Sequence, residues 1–184
     1  MNTDYVSAAK PSYSGAIFRG AVGATLPTDA KTAIDTETFT SLGYVSEDGV
    51  TNSNSPESDT EKAWGGDIVL TIQTSKEDTF GLSLIETLNK DVLSTIYGKD
   101  NVTGDIGTGI TVKANSNEME EYSYIIDMIM RNGALKRICI PKGKITEVGE
   151  VSYSDGESVK YEITITAMPD DSNNTHYEYI YKAA

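Results

Sequence analysis

Apolar and polar residues alternate along much of this chain with the two-residue period of a β-strand. Asp67 to Ser75 places Ile68, Leu70 and Ile72 on one face, and Phe80, Leu82 and Leu84 repeat the pattern. Val159 to Ala167 alternates most cleanly, with Val159, Tyr161, Ile163, Ile165 and Ala167 facing in and Lys160, Glu162, Thr164 and Thr166 facing out. Glu121 to Arg131 is apolar on both faces, which predicts a central strand. Asn132-Gly133 is a strong hairpin signal, with Leu135 to Ile140 as the return strand. Shorter strands are predicted at Gly15 to Ala21, Leu42 to Val45, Gly109 to Ala114, Ile145 to Tyr153 and His176 to Tyr181, with turns at Asp155-Gly156 and at 170–174.

The period changes once. Ile85, Leu88, Val92 and Ile96 recur at helical spacing, and Leu84 and Leu93 widen the stripe. Ser83 and Glu86 have capping-box spacing and Gly98 suits a helix end, so one α-helix is predicted over about 84–97. Three stretches carry no pattern. Residues 1–14 read as an extended N-terminal arm ahead of a single β domain over 15–184. Residues 22–40 read as a small, polar surface connection with a short turn near Asp35 to Thr40. Residues 46–62, SEDGVTNSNSPESDTEK, hold one aliphatic side chain, Val50, and predict a long polar loop that runs on to residue 66. A connection of that length in a small domain is functional or disordered. The sum is roughly eight to ten strands and one helix: a mainly β fold, an antiparallel β-sandwich or barrel with a flanking helix.

Composition narrows the function more than the fold. The 184 residues suit one domain, and the net charge of −13 repels DNA phosphates, which argues against a sequence-reading DNA binder. An acidic wall beside DNA still has a use, because the duplex does not stick to it. The single cysteine, Cys139, lies in an apolar run and reads as a buried small hydrophobe. The N-terminus lacks an apolar signal core and no window is long enough to span a membrane, so a soluble chain made in the cytoplasm is expected. The two Asn-x-Thr sequons, at Asn101 and Asn173, then carry no glycan.

The search for reaction chemistry ends empty. His176 is the only histidine and cannot build a multi-histidine metal site, and no serine sits in a nucleophile elbow. Gly104, Gly107 and Gly109 lack the Lys-Ser/Thr ending of a phosphate loop. Glu118, Glu120 and Glu121 read as a solvated strand entry, and Asp170-Asp171 lacks calcium-loop spacing. No catalytic, cofactor-binding or metal-binding residue is selected, and the chain reads as a structural protein.

Charge is unevenly placed. Arg131, Lys136, Arg137, Lys142 and Lys144 form a basic island with no acid between them. The polar loop carries Glu47, Asp48, Glu57, Asp59 and Glu61 with no base among them. Each reads either as a solvated segment or as half of a contact between two copies. Such a contact joins different surfaces and builds rings or filaments. Trp64, at the end of the loop, is either an interface anchor or a local core residue. Extended, 17 residues could reach up to ~55 Å, which is more than an internal turn requires.

The ordered combination of segments carries a resemblance. LGYVSEDGVTNSNSPESDTEKAWGGD (42–67), TIQTSKEDTFGLSLIETLNKDVLSTIYGKDNVTG (71–104) and VSYSDGESVKYEITITAMPD (151–170) resemble the major tail proteins, or tail tube proteins, of long-tailed, siphovirus-like bacteriophages. The resemblance implies a β-sandwich or barrel with a flanking helix, assembled into hexameric rings that stack into a hollow tube. It implies a place in the virion tail after assembly in the host bacterial cytoplasm. Expected partners are further copies of the chain and tail terminator, tape measure and baseplate or tip proteins. Genomic DNA passes through the lumen without sequence-specific binding. It implies no cofactor, no catalytic residue and no membrane contact. The alternative is a carbohydrate- or receptor-binding β-sandwich module of a virion or cell surface, which the eleven tyrosines keep open.

Overall fold

A computed structural model describes residues 1, 3–12 and 15–183. Of the segment read as an N-terminal arm, Asn2, Tyr13 and Ser14 lie outside the described residues. The strands are β1 (Ala9–Pro11), β2 (Ile17–Ala21), β3 (Thr40–Ser41), β4 (Val45–Lys62), β5 (Ile68–Leu84), β6 (Val102–Asp105), β7 (Gly109–Val112), β8 (Glu121–Met130), β9 (Leu135–Val148), β10 (Tyr161–Ala167) and β11 (Tyr177–Tyr181). One helix, α1 (Lys90–Tyr97), lies between β5 and β6.

The main sheet runs β3-β2-β8-β9-β10-β5-β4, and every pairing is antiparallel. It branches at the β8–β9 hairpin. The start of β8 pairs with β2 and its end with β1, while the start of β9 pairs with β11 and its end with β10. The sheet stays open, so the expected barrel is not closed. As predicted, β8 is central and apolar on both faces. Tyr124 and Ile126 enter a large core with Phe80, Leu84, Val92 and Ile165, whereas Ile125 enters a smaller one with Phe18, Phe39 and Cys139. Each fully buried Leu, Ile or Phe contributes about 1.5–3 kcal/mol.

Four expectations are corrected. The polar loop over 46–66 is a pair of strands: β4 and β5 form one long hairpin, turning at 63–67. The helix begins at Lys90, not near 84. Ser83 and Leu84 are held in β5 by pairing with Glu162 and Tyr161, and the N-cap is Asn89, whose side chain accepts from the Asp91 N–H at 2.9 Å. Glu86 is occupied elsewhere, accepting from the Tyr44 N–H at 3.0 Å. The helix end is as expected, with Gly98 at φ 90° donating to the Ser94 carbonyl. The predicted strands at 135–140 and 145–153 run together as one strand, β9, which ends at Val148, so that 149–153 is not strand. Pro141 is tolerated inside it because the ladder is interrupted there, and its carbonyl accepts from Ser123 Oγ at 2.6 Å. Finally, residues 22–40 are more than a surface connection. Ala30 and Phe39 are buried, and Leu26 and Ile34 pack onto the smaller core.

Candidate assembly arm

The β4–β5 hairpin leaves the body after Val50 and Leu82. Every residue from 51 to 77 is exposed. Backbone pairing defines the arm, from Asn52↔Phe80 out to Lys62↔Ile68, with register shifts after Glu57 and after Glu61. At the tip, Ala63 N–H donates to the Asp67 carbonyl and Gly66 N–H to that of Ala63, and the turn needs Gly65 at φ 120° and Gly66 at φ 98°. β4 is the edge of the sheet. Its Pro56, charged side chains and bulges are devices that discourage open-ended pairing.

The arm is polar on β4 and apolar on β5. Trp64 stands fully in solvent at the tip, which removes the reading of a local core tryptophan. Ile68, Val69, Leu70 and Ile72 are 46–61% exposed. A two-stranded ribbon is marginal in water by itself, and clustered exposed aliphatic side chains mark a surface that meets another molecule.

Where the arm joins the body, Asp78 is buried and collects three donors. Its Oδ2 accepts from Thr175 Oγ1 and from His176 Nδ1, both at 2.5 Å, and its Oδ1 accepts from Asn52 Nδ2 at 2.9 Å. The His176 ring also packs edge-on against Phe80, 5.3 Å between centroids. Both arm strands are thereby tied to the segment before β11. Burial pushes the Asp78 carboxyl up, but the hydrogen bonds from Thr175, Asn52 and His176 outweigh it and hold the group below its ordinary value. A carboxylate with a depressed folded pKa adds stability that is present above its unfolded value, ~4, and is lost as pH falls through the folded one. Asp78→Asn should therefore cost about 1–3 kcal/mol near neutral pH. It should also flatten the fall in stability between about pH 5 and pH 3 relative to the parent. Urea midpoints across that range measure both, and parallel pH profiles would show that Asp78 is not the group.

The remaining candidates are scattered. Glu47 and Asp48 sit in the irregular stretch at the arm's root, where pairing jumps from Val45↔Leu84 to Val50↔Leu82. Glu57, Asp59 and Glu61 lie along β4, with Glu57 accepting from Ser75 Oγ at 3.0 Å. The basic island is largely engaged within the chain. Lys136 pairs with Glu178 at 2.9 Å, Lys142 with Glu121 at 3.1 Å, and Lys144 with Glu118. Arg137 is buried and forks onto Asp127 at 2.9 and 3.0 Å. Arg131 is exposed and, among the described residues, makes no ion pair. Two features escaped sequence reasoning. The exposure of Ile68, Leu70 and Ile72 was hidden because their alternation resembles that of a core-facing strand. The Asp78–His176 pair joins residues 98 apart and leaves no local signal.

A family model described as phage tail tube protein matches residues 2–184. The chain belongs to this family. It is a structural protein of a phage tail, a component of the virion. In solved structures it is similar to the anti-feeding prophage cap, a tube-terminating cap determined by cryo-electron microscopy. The identity is 10% and the TM-score 0.45 over 98% of this chain and 99% of that one, a likeness too low to carry weight. No curated protein matches the chain in sequence. Among the described residues no helix is long and apolar enough to cross a membrane, and no cluster of three His, Cys, Asp or Glu could hold a metal.

Proposed function

We propose that this tail tube protein assembles with copies of itself into hexameric rings that stack into a hollow tube, and that the β4–β5 hairpin is the arm that joins one copy to another. The observation that carries this reading is the hairpin's exposure. Residues 51–77 expose both faces, a fully solvated tryptophan and four aliphatic side chains, an arrangement that is stable when a partner covers it. In this reading the tube is assembled in the host cytoplasm, meets terminator, tape measure and tip proteins at its ends, and conducts genomic DNA. The net charge of −13 fits a conduit, since a surface rich in carboxylates does not retain the duplex. No catalytic role is assigned to any residue.

Negative-stain imaging of the purified chain, across concentration and salt, tests the proposal. Six-fold rings and stacked tubes are the expected result. A monomer at every condition that instead retained an immobilised glycan would replace this reading with that of a carbohydrate-binding module.

A further inference from the structure

The arm's two faces differ, and the body carries a surface that matches one of them. Alternation along β5 places Leu70 and Ile72 on one face and Thr71 on the other, and the bulge at Val69 sets Ile68, opposite Lys62, off that row. Cross-strand neighbours share a face, so Asp59, opposite Ile72, and Glu61, opposite Leu70, flank the aliphatic row. The first face is thus a strip of two aliphatic side chains beside two carboxylates.

Two adjoining depressions lie where β1 meets β8, and both are lined by Ala9 and Lys10. One, of about 400 Å³, also has Ile129, Met130 and Arg131; the other, of about 490 Å³, has Val50 and Met128 together with the carboxylates of Glu47, Asp48 and Asp127. Both volumes suit several apolar side chains. The first is an apolar trough with Lys10 and the exposed Arg131 in its lining, the inverse of the arm's aliphatic and acidic strip, whereas the second is acidic along its β4 side.

Resting on the reading of the hairpin as an assembly arm, we infer that the Leu70–Ile72 face of one copy's arm seats in the β1–β8 trough of a second copy, with Arg131 of the trough meeting Glu61 and Asp59 of the arm. The arm's own body is out of reach. The trough shares Ala9 and Lys10 with the depression that holds Val50 at the root of the arm, and the run from Asn52 to Lys62 carries the tip roughly 30 Å away at ~3.3 Å per residue. A contact between two different surfaces of one chain repeats from copy to copy, as a ring or tube requires.

The test is a cysteine pair in the full chain. Ala9 and Leu70 are exposed, and the native Cys139 is fully buried with its thiol pushed up to about 12 by burial, so it stays inert. Assembled particles of the Ala9→Cys/Leu70→Cys chain, oxidised with diamide, should give a ladder of covalent multimers on a non-reducing gel. The Ala9→Cys/Thr71→Cys chain, which presents the other face, should give at least ten-fold less. Arg131→Glu should lower the yield of assembled particles about ten-fold, and adding Glu61→Arg to that chain should restore most of it. Tubes without a ladder, equal ladders from both pairs, or no rescue would overturn this docking and leave the tail tube reading standing. A parent chain that never assembles would overturn both.

Discussion

Replacing Ser55–Glu77 with an Asn-Gly turn should leave a soluble, folded monomer that no longer forms tubes. The cut falls between Asn54 and Asp78, which face each other in the hairpin, so a two-residue turn closes the shortened ribbon without a register change. It keeps Asn52 on the Asp78 carboxylate and leaves Val50 against the core. Every deleted side chain is exposed, so no core surface is uncovered, and the melting temperature should stay within a few degrees of the parent. Assembly should fall at least a hundred-fold in the concentration it requires, since that corresponds to about 2.8 kcal/mol, a modest share of an interface that loses its tryptophan and aliphatic row. Removing residues 50–60 alone is a poorer test. That deletion takes one strand and leaves its partner unpaired, together with the Asp78 acceptor that Asn52 had filled. Tubes from the full arm truncation, seen by electron microscopy at parental concentrations, would show that the arm is dispensable.

The arm was legible by position and misread in form, for a physical reason. Sequence periodicity reports burial, because an element shows a pattern when one face meets the core. β4 meets it only at Val45 and Val50, so Ser46 to Lys62 carries no pattern and reads as loop although the backbone from Val50 to Lys62 is paired with β5. β5 misleads in the opposite sense. Its outer half alternates as a core strand does, and the side chains it offers are exposed in the single chain. The half that enters the body behaved as read, with Phe80, Leu82 and Leu84 buried.

The body was easier because its pattern is set by packing inside one chain. β8 and β10 follow the expected alternation, and the Asn132-Gly133 turn joins β8 to β9 as expected. Helix position was displaced because hydrophobic spacing at Ile85 and Leu88 looks helical, whereas pairing to β10 holds the chain extended through Leu84. Leu88 ends up 70% exposed. For the candidate contacts, charge counted along the sequence could not separate cations that reach solvent from those already spent. Arg137 and Arg131 look alike in the sequence, and one is buried while the other is exposed.

Arg137→Ala should be among the most destabilising single changes to this chain. The guanidinium forks onto Asp127 with both partners buried, and its Nη1 also donates to the carbonyls of Asp29 at 3.0 Å and Thr32 at 2.8 Å. One side chain therefore neutralises a buried carboxylate and pins the 22–39 segment over Phe18, Phe39 and Cys139. Removing it strands Asp127 and two carbonyls together, and breaking a buried pair from one side costs about 3–5 kcal/mol. For a chain of this length that is a fall of about 10 °C in melting temperature. Lys142→Ala, which removes the half-exposed pair with Glu121, should cost less than about 1 kcal/mol. Joint replacement of Arg137 by Met and Asp127 by Leu should recover much of the loss, because the unpaired charge is gone. It should not recover all of it, because the Asp29 and Thr32 carbonyls still lack their donor. Denaturant midpoints of the four chains decide the matter. Equal losses for Arg137→Ala and Lys142→Ala would mean that Arg137 acts at the surface between copies and not as the tie that holds the 22–39 segment to the sheet.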